Sequence, residues 1–174
     1  FEEGLEMVER IEFRKEDPAF GWMSLFSPHR CVYKGIEAPT AEHLYCSLRV
    51  FPSKLKEHKL WVEKIISAKT PQEARALVKD IPPSILQPDW EYYRQELMKS
   101  VLSIKLRTNP HLIYALLATG DRKLVEVNTW HENFWGICTC TTCKSTGKNT
   151  LGTLWQSLRL SLTNALPVTG SHFV

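Results

Sequence analysis

The chain has 174 residues, 43% of them hydrophobic and 24% charged, with a formal net charge of +3. That balance excludes a disordered chain and describes one folded domain over 1–174, with its core at about 20–166. The same composition holds no apolar run near the ~20 residues of a membrane span, and the acidic stretch Phe1 to Lys15 does not read as a secretion signal.

In chain order, residues 10–39 are irregular and strand-like. Cys31 to Ile36 reads as a half-buried strand with Val32 and Ile36 on one face, and Gly35 permits a turn within it. Thr40 then caps a helix from Ala41 to Phe51. Its apolar stripe is Ala41, Leu44, Leu48 and Phe51, and its other side carries Glu42, Cys46 and Arg49. A second helix spans Leu55 to Ala68 with Trp61, Val62 and Ile65 inward. The run Thr70-Pro71-Gln72-Glu73 is a capping box with proline at the first helical position. The proline-rich stretch Ile81 to Pro88 is a loop. Asp89 caps a long helix in which Trp90, Tyr93, Leu97, Val101 and Ile104 keep helical spacing. Asn109-Pro110 opens another helix that stops at Gly120, and Lys123 to Val127 is a short strand. A last amphipathic helix turns Leu151, Leu154, Trp155, Leu158 and Leu162 to one face, and the tail after Pro167 frays. The sum is an α+β fold, mostly α-helical, in one compact domain with a few short strands.

The segment Asn128 to Asn149 lacks periodicity and is polar, aromatic and cysteine-rich, as functional loops are. The seven residues Trp130-His131-Glu132-Asn133-Phe134-Trp135-Gly136 cannot all be core, so they read as a binding surface. Glu42, in a first helical turn, is either a capping carboxylate or a reacting one. Trp90 is either core or a stacking platform. Gly147-Lys148-Asn149-Thr150-Leu151-Gly152 precedes a helix, so its amides and lysine suit a phosphate or merely a turn; the spacing is not that of a P-loop. Of five cysteines, Cys138, Cys140 and Cys143 form C-x-C-x-x-C. Three thiolates fill three positions of a tetrahedral structural zinc, with His131, His29 or Cys31 for the fourth; otherwise they are free thiols ordering a loop. Unpaired cysteines without a secretion signal point to the cytoplasm, or the nucleus in a eukaryote.

Together these pieces resemble the NADAR superfamily of YbiA-like proteins. The matching runs, in the family's order, include Phe20-Gly-Trp-Met-Ser-Leu-Phe-Ser-Pro, Pro39-Thr-Ala-Glu-His-Leu-Tyr, Thr70-Pro-Gln-Glu-Ala, Pro88-Asp-Trp-Glu, Asn109-Pro-His-Leu, Leu117-Ala-Thr-Gly-Asp, Leu124-Val-Glu, Asn133-Phe-Trp-Gly and Gly147-Lys-Asn-Thr-Leu-Gly. The resemblance covers about 20–162 and implies a helix-rich YbiA-like domain that hydrolyses a C–N bond at the anomeric carbon of a ribose. It implies Glu42 as general acid/base, with Glu126 or Glu132 as a second carboxylate. It also implies substrate contacts from Trp22, Phe26, Arg49, Asp89, Trp90, Asn133, Phe134, Trp135, Gly136, Gly147, Asn149 and Gly152. Trp faces would stack a base, and the helix start would hold a phosphate. Many members carry lysine where this chain has Arg49, and arginine where it has Gln87. A guanidinium forms no Schiff base at ordinary pH, so Lys148 or water must attack.

The first expectation is therefore a hydrolase that removes ADP-ribose from guanine bases of nucleic acid, or from a related conjugate, with no required cofactor and no membrane partner. The alternatives are an N-glycosidase of ribosylamino intermediates of riboflavin synthesis, a non-catalytic ADP-ribose or NAD reader, and a zinc-stabilised interaction domain.

Overall fold

A computed structural model describes residues 9–165; the expected fraying after Pro167 lies outside them. The first strand, β1 (Arg10–Phe13), buries Ile11 and Phe13 and leaves Arg10 and Glu12 to solvent, the alternation of a strand with one covered face. Next comes an antiparallel hairpin of β2 (Cys31–Tyr33) and β3 (Ile36–Ala38). Its two-residue turn has Lys34 at φ 46° and Gly35 at φ 79°, the left-handed pair that matches hairpin twist. The turn divides the single strand expected there. Cys31 and Ala38 face the core, and Val32 is 38% exposed rather than inward.

Thr40 opens α1 (Ala41–Ser47), accepting the His43 amide at 3.3 Å. His43 is itself buried: its ring nitrogens meet Thr40 Oγ1 at 2.8 Å and the Ala68 carbonyl at 3.0 Å. The helix ends four residues short of the expected Phe51, and Phe51 is 44% exposed. Beyond Arg49 the backbone pairs with the proline-rich loop instead: Gln87 donates to the Arg49 carbonyl at 2.8 Å and Phe51 to the Ile85 carbonyl at 2.7 Å. Pro52 disfavours helix at Phe51 in any case.

Then follow α2 (Lys56–Ile66) and α3 (Pro71–Leu77), the latter capped by Thr70. Glu73 reaches back to the Lys69 amide at 2.8 Å. A small core of Cys46, Val50, Ile65, Ala74, Val78, Ile81 and Ile85 joins these helices to α1, with Trp61 against it. Asp89, ahead of α4 (Trp90–Thr108), does not cap as expected. Its backbone is left-handed, φ 53°, and its side chain accepts no helix amide. The chain continues through α5 (His111–Leu117), β4 (Lys123–Asn128), β5 (Ile137–Cys138) and α6 (Thr150–Ala165).

Strand β4 is the centre of a three-stranded sheet, with β1 and β5 parallel to it on either side. Its Leu124, Val125, Val127 and Asn128 are buried, as in parallel sheets covered on both faces. Helix α6 packs on β4 through Gly152. A methyl group there would overlap the Leu124 carbonyl oxygen. Gly152→Ala is expected to lower unfolding free energy by about 1–3 kcal/mol, the size of an overpacking strain. Urea denaturation followed by circular dichroism measures it.

The main core joins Phe13, Met23, Leu44, Leu102, Leu116, Leu124, Leu151 and Trp155. Lys105 is buried within it and holds down the 22–27 loop, donating to the Ser24 carbonyl at 2.8 Å, to Ser27 Oγ at 2.6 Å and to the Trp22 carbonyl. No helix among the described residues is long and apolar enough to cross a membrane.

Candidate active site

Ligands of open parallel sheets sit beyond the carboxyl ends of the strands. A cavity of about 750 Å³ opens there, lined by Arg14 and Lys15 after β1 and by Glu126, Val127 and Asn128 of β4. Its size lies within the ~300–1,000 Å³ of small-molecule sites. Helix α1 supplies Glu42, Tyr45 and Cys46, α3 supplies Arg75, and α4 supplies Trp90 and Arg94.

Glu42 is 2% exposed, too buried to be a simple capping carboxylate facing water. Arg75 grips it with two parallel bonds, Nε to Oε1 at 2.8 Å and Nη2 to Oε2 at 3.1 Å. Such a fork fits a carboxylate geometrically and fixes its orientation. The Cys46 thiol, pushed up by burial and by Glu42, stays protonated and donates to Oε1 at 3.4 Å. The Glu42 amide bonds the Leu25 carbonyl at 3.1 Å, so α1 and the loop bearing Phe26 approach the cavity together.

Glu126 faces the same cavity from β4. Burial, then the carboxylate of Glu132, push its carboxyl up to about 7; Arg75 opposes the shift and Glu42 adds to it. Asn149 fixes the strand there: its Oδ1 accepts the Glu126 amide at 3.0 Å and its Nδ2 donates to the Leu124 carbonyl at 2.8 Å. Gly136 lets the loop pass close, since a Cβ would stand 2.8 Å from the Glu126 carbonyl oxygen. Glu132 also borders the cavity, but its two oxygens are spent on the backbone amides of Phe134, Trp135 and Gly136 at 2.9–3.0 Å. That engagement makes it the organiser of the loop rather than a free second carboxylate.

Cations lie over aromatic rings on the cavity wall and just behind it. Arg75 lies 4.5 Å and Lys15 5.6 Å from the centre of the Phe26 ring. Arg49 stacks 4.4 Å above Trp90. Arg94 lies 3.5 Å over Phe134, and its Nε is buried without a partner. Tyr45 packs against both Trp90 and Trp135, at 5.4 and 6.0 Å between ring centres. Trp130, 58% exposed, stands at the rim.

Of the residues singled out from sequence, the cavity brings together Glu42, Glu126, Glu132, Phe26, Arg49, Trp90 and Trp135. It leaves out Trp22, Asp89, Asn133, Phe134, Gly136, Gly147, Lys148, Asn149 and Gly152. Trp22 instead packs edge-on against buried Trp155 at 5.5 Å. The helix start is not a phosphate cradle. The amides of Lys148, Asn149, Thr150 and Leu151 donate to the carbonyls of Asn133, Gly136, Phe134 and Trp135. These donors therefore clamp one loop end on the other. Gly147 is needed because any Cβ would meet the Gly136 backbone. Lys148 holds its ammonium 5.4 Å from the Phe134 ring centre and does not border the cavity, so it does not stand in for a reacting lysine.

Arg14, Lys15, Arg75 and Arg94 were missed by sequence reasoning. Single cations on amphipathic helices read as solvent-facing, and only the packing of α3 against α1 turns Arg75 inward. The one available signal was position: Arg75 follows directly on Thr70-Pro-Gln-Glu-Ala.

Beside the cavity, His131, Cys138, Cys140 and Cys143 bring their ligand atoms within 4.8 Å of one another, a set that could hold a metal ion.

The NADAR domain family model matches residues 12–163. A chloroplastic riboflavin biosynthesis protein, PYRR, of Zea mays is 30% identical over 165 residues, covering 90% of this chain and 26% of that protein. A riboflavin biosynthesis protein of Vibrio vulnificus is 27% identical over 97% of this chain and 42% of its own length. The chain thus spans from about a quarter to about two fifths of the length of these relatives. The N-glycosidase YbiA of Escherichia coli is 28% identical over 87% of this chain and 88% of its own. The NMR structure of E. coli YbiA superposes with a TM-score of 0.72 at 26% identity, covering 95% of this chain and 90% of that one.

Proposed function

The chain belongs to the NADAR domain family, and from that premise we propose that it is an N-glycosidase hydrolysing the C–N bond at C1 of a phosphorylated N-riboside. One observation carries the reading: the Glu42 carboxylate, gripped by Arg75, and the Glu126 carboxyl, its pKa raised to about 7, border the same cavity. Protonated Glu126 gives its proton to the leaving nitrogen, and the C1–N electron pair departs with the base. The ribosyl centre becomes oxocarbenium-like, and the fixed charge of Glu42 offsets that positive charge. Water adds to C1, and the Glu126 carboxylate takes up the released proton. Relative to the expectation from sequence, the proton-handling role moves from Glu42 to Glu126, because both Glu42 oxygens are engaged by Arg75. The aromatic walls stack the base, and the cations take the phosphate.

Two substrates fit this class. ADP-ribosylated guanine is favoured by cations at two separate places on the cavity wall, Lys15 beside Phe26 and Arg49 on Trp90. Such a pair suits the two phosphates of ADP-ribose. A ribosylamino-pyrimidine phosphate is favoured by the names of the maize and Vibrio relatives. Arg49, stacked on Trp90, carries ligand in either case and attacks nothing.

Incubation with DNA bearing ADP-ribosylated guanine and, separately, with the ribosylamino-pyrimidine phosphate distinguishes them, with release followed by chromatography. Release from one substrate at least is expected. Tight binding of ADP-ribose with no release from either would leave the non-catalytic reader standing.

A further inference from the structure

The segment between β4 and α6 is held at its ends and by β5, but its residues 139–146 are tied by only a few hydrogen bonds. Its ends are tied by the Glu132 carboxylate and by the amides of 148–151. Residues 139–146 contribute nothing to either core, and Thr139, Thr141, Thr142 and Lys144 to Thr146 are exposed. The same stretch contains non-glycine residues in the left-handed region: Lys144 at φ 51°, Ser145 at φ 60° and, across the loop, His131 at φ 65°. Backbone of that kind persists only when something over-determines it.

What the segment contains is a set of ligands. His131 Nδ1 stands 3.2 Å from Cys143 Sγ and 3.4 Å from Cys140 Sγ. Cys138, at the end of β5, completes a group whose four atoms all fall within 4.8 Å of each other. Zinc bonds of ~2.3 Å to sulfur and ~2.0 Å to nitrogen imply edges of about 3.5–3.8 Å in a tetrahedron. The two His131–sulfur separations lie within a few tenths of an ångström of such an edge, and the widest separation in the group, at most 4.8 Å, closes by about 1 Å on an ion. The sulfurs also have the partners that metal thiolates take. The His131 amide donates to Cys138 Sγ at 3.3 Å, the Cys143 amide to Cys140 Sγ at 3.3 Å, and Asn133 Nδ2 to Cys143 Sγ at 3.7 Å. Of the fourth ligands considered from sequence, His29 and Cys31 are elsewhere: the His29 ring meets Ser27 and His111, and Cys31 is buried in the main core.

We propose that His131, Cys138, Cys140 and Cys143 form a structural zinc site that pins the cavity-side loop. Binding one Zn²⁺ displaces the three thiol protons to solvent and leaves the centre with one net negative charge, with no change of oxidation state. Four protein ligands close the coordination sphere, which marks the site as structural rather than hydrolytic. The ion would fix His131, between Trp130 at the cavity rim and Glu132, whose carboxylate gathers the loop amides. This role is independent of which substrate the cavity takes.

The test is metal analysis of the whole chain, prepared under reducing conditions, stripped with chelator and then offered Zn²⁺ alone. About one zinc per chain is expected. A Cys140→Ser/Cys143→Ser double variant, changed only at the two partly exposed thiols, is expected to retain less than a tenth of it while keeping its circular dichroism. Co²⁺ in the unmodified chain is expected to give visible d–d bands of tetrahedral strength and thiolate charge transfer in the near ultraviolet, both bleached by Zn²⁺. This measurement needs no variant to fold. Failure of the unmodified chain to take up Zn²⁺ or Co²⁺ overturns the proposal, and so does full metal retention by the double variant.

Discussion

Glu126→Gln is expected to lower kcat by about 10²–10⁴-fold, the usual contribution of a positioned proton donor, with KM changed much less. The amide keeps the shape of the side chain and its place on β4 but carries no transferable proton. The native pH profile identifies the group. With its pKa raised to about 7, Glu126 holds its proton below neutrality and loses it above, so a general acid predicts a rate that falls as pH rises through about 7. Stopped assays from pH 5 to 9 should show that limb in the native protein and its absence in the variant's residual rate. A variant retaining a third or more of native kcat would remove Glu126 from the reaction.

The same substitution is expected to stabilise the fold on the alkaline side. Because the folded pKa lies above the unfolded one, near 4.3, the folded state binds the extra proton between them. Stability is thus lost as pH rises through that window, up to about 7. At pH 8 the native chain buries a charge that glutamine does not, and the variant is expected to be more stable by about 1–3 kcal/mol, an advantage that vanishes near pH 4. Thermal melts at both pH values measure it. A gain in stability joined to a loss of turnover separates a reacting group from one that merely shapes the sheet.

Arg75→Ala is expected to destabilise the protein by about 2–3 kcal/mol. Fully buried pairs lose ~3–5 kcal/mol when one partner is removed, because the survivor stays charged and unpaired. Here Glu42 is the buried member, its side chain 3% exposed, while the Arg75 side chain is 53% exposed. Water can therefore replace part of the guanidinium, which lowers the cost. Turnover should fall as well, since Glu42 loses the two bonds that orient it beside the cavity. Arg75→Lys is expected to recover more of the stability than of the rate, since one ammonium restores the charge without the bidentate fork. Chemical denaturation beside steady-state kinetics on the three proteins would show whether the two losses part in this way.

The elements legible in the sequence were those with local signatures. Thr70 and Pro71 start α3, the period of Trp90, Leu97, Val101 and Ile104 marks α4, and Leu124 to Val127 marks the central strand. Boundaries set by distant partners were not legible. Helix α1 stops at Ser47 because the following backbone pairs with residues near Leu86, which no local pattern announces. Several motif residues serve the scaffold. Asn149, Gly152, Gly136 and Gly147 bring backbones together around Glu126, and neither spacing nor residue type says whether a small or amide side chain touches a ligand or a strand.

By itself, the sequence determined a helix-rich α+β domain, its order of motifs, and the residue types from which a site could be made. Those follow from short-range rules of capping, periodicity and turn chemistry, which act over a few residues. Tertiary structure alone decided the charges. It set Arg75 on Glu42 across 33 positions of chain, placed Glu126 among other carboxylates where its proton is held to near neutrality, and spent the amides of 148–151 on the loop rather than on a phosphate. Electrostatic roles depend on neighbours in space and on exclusion of water, and both come into being only when the chain has packed.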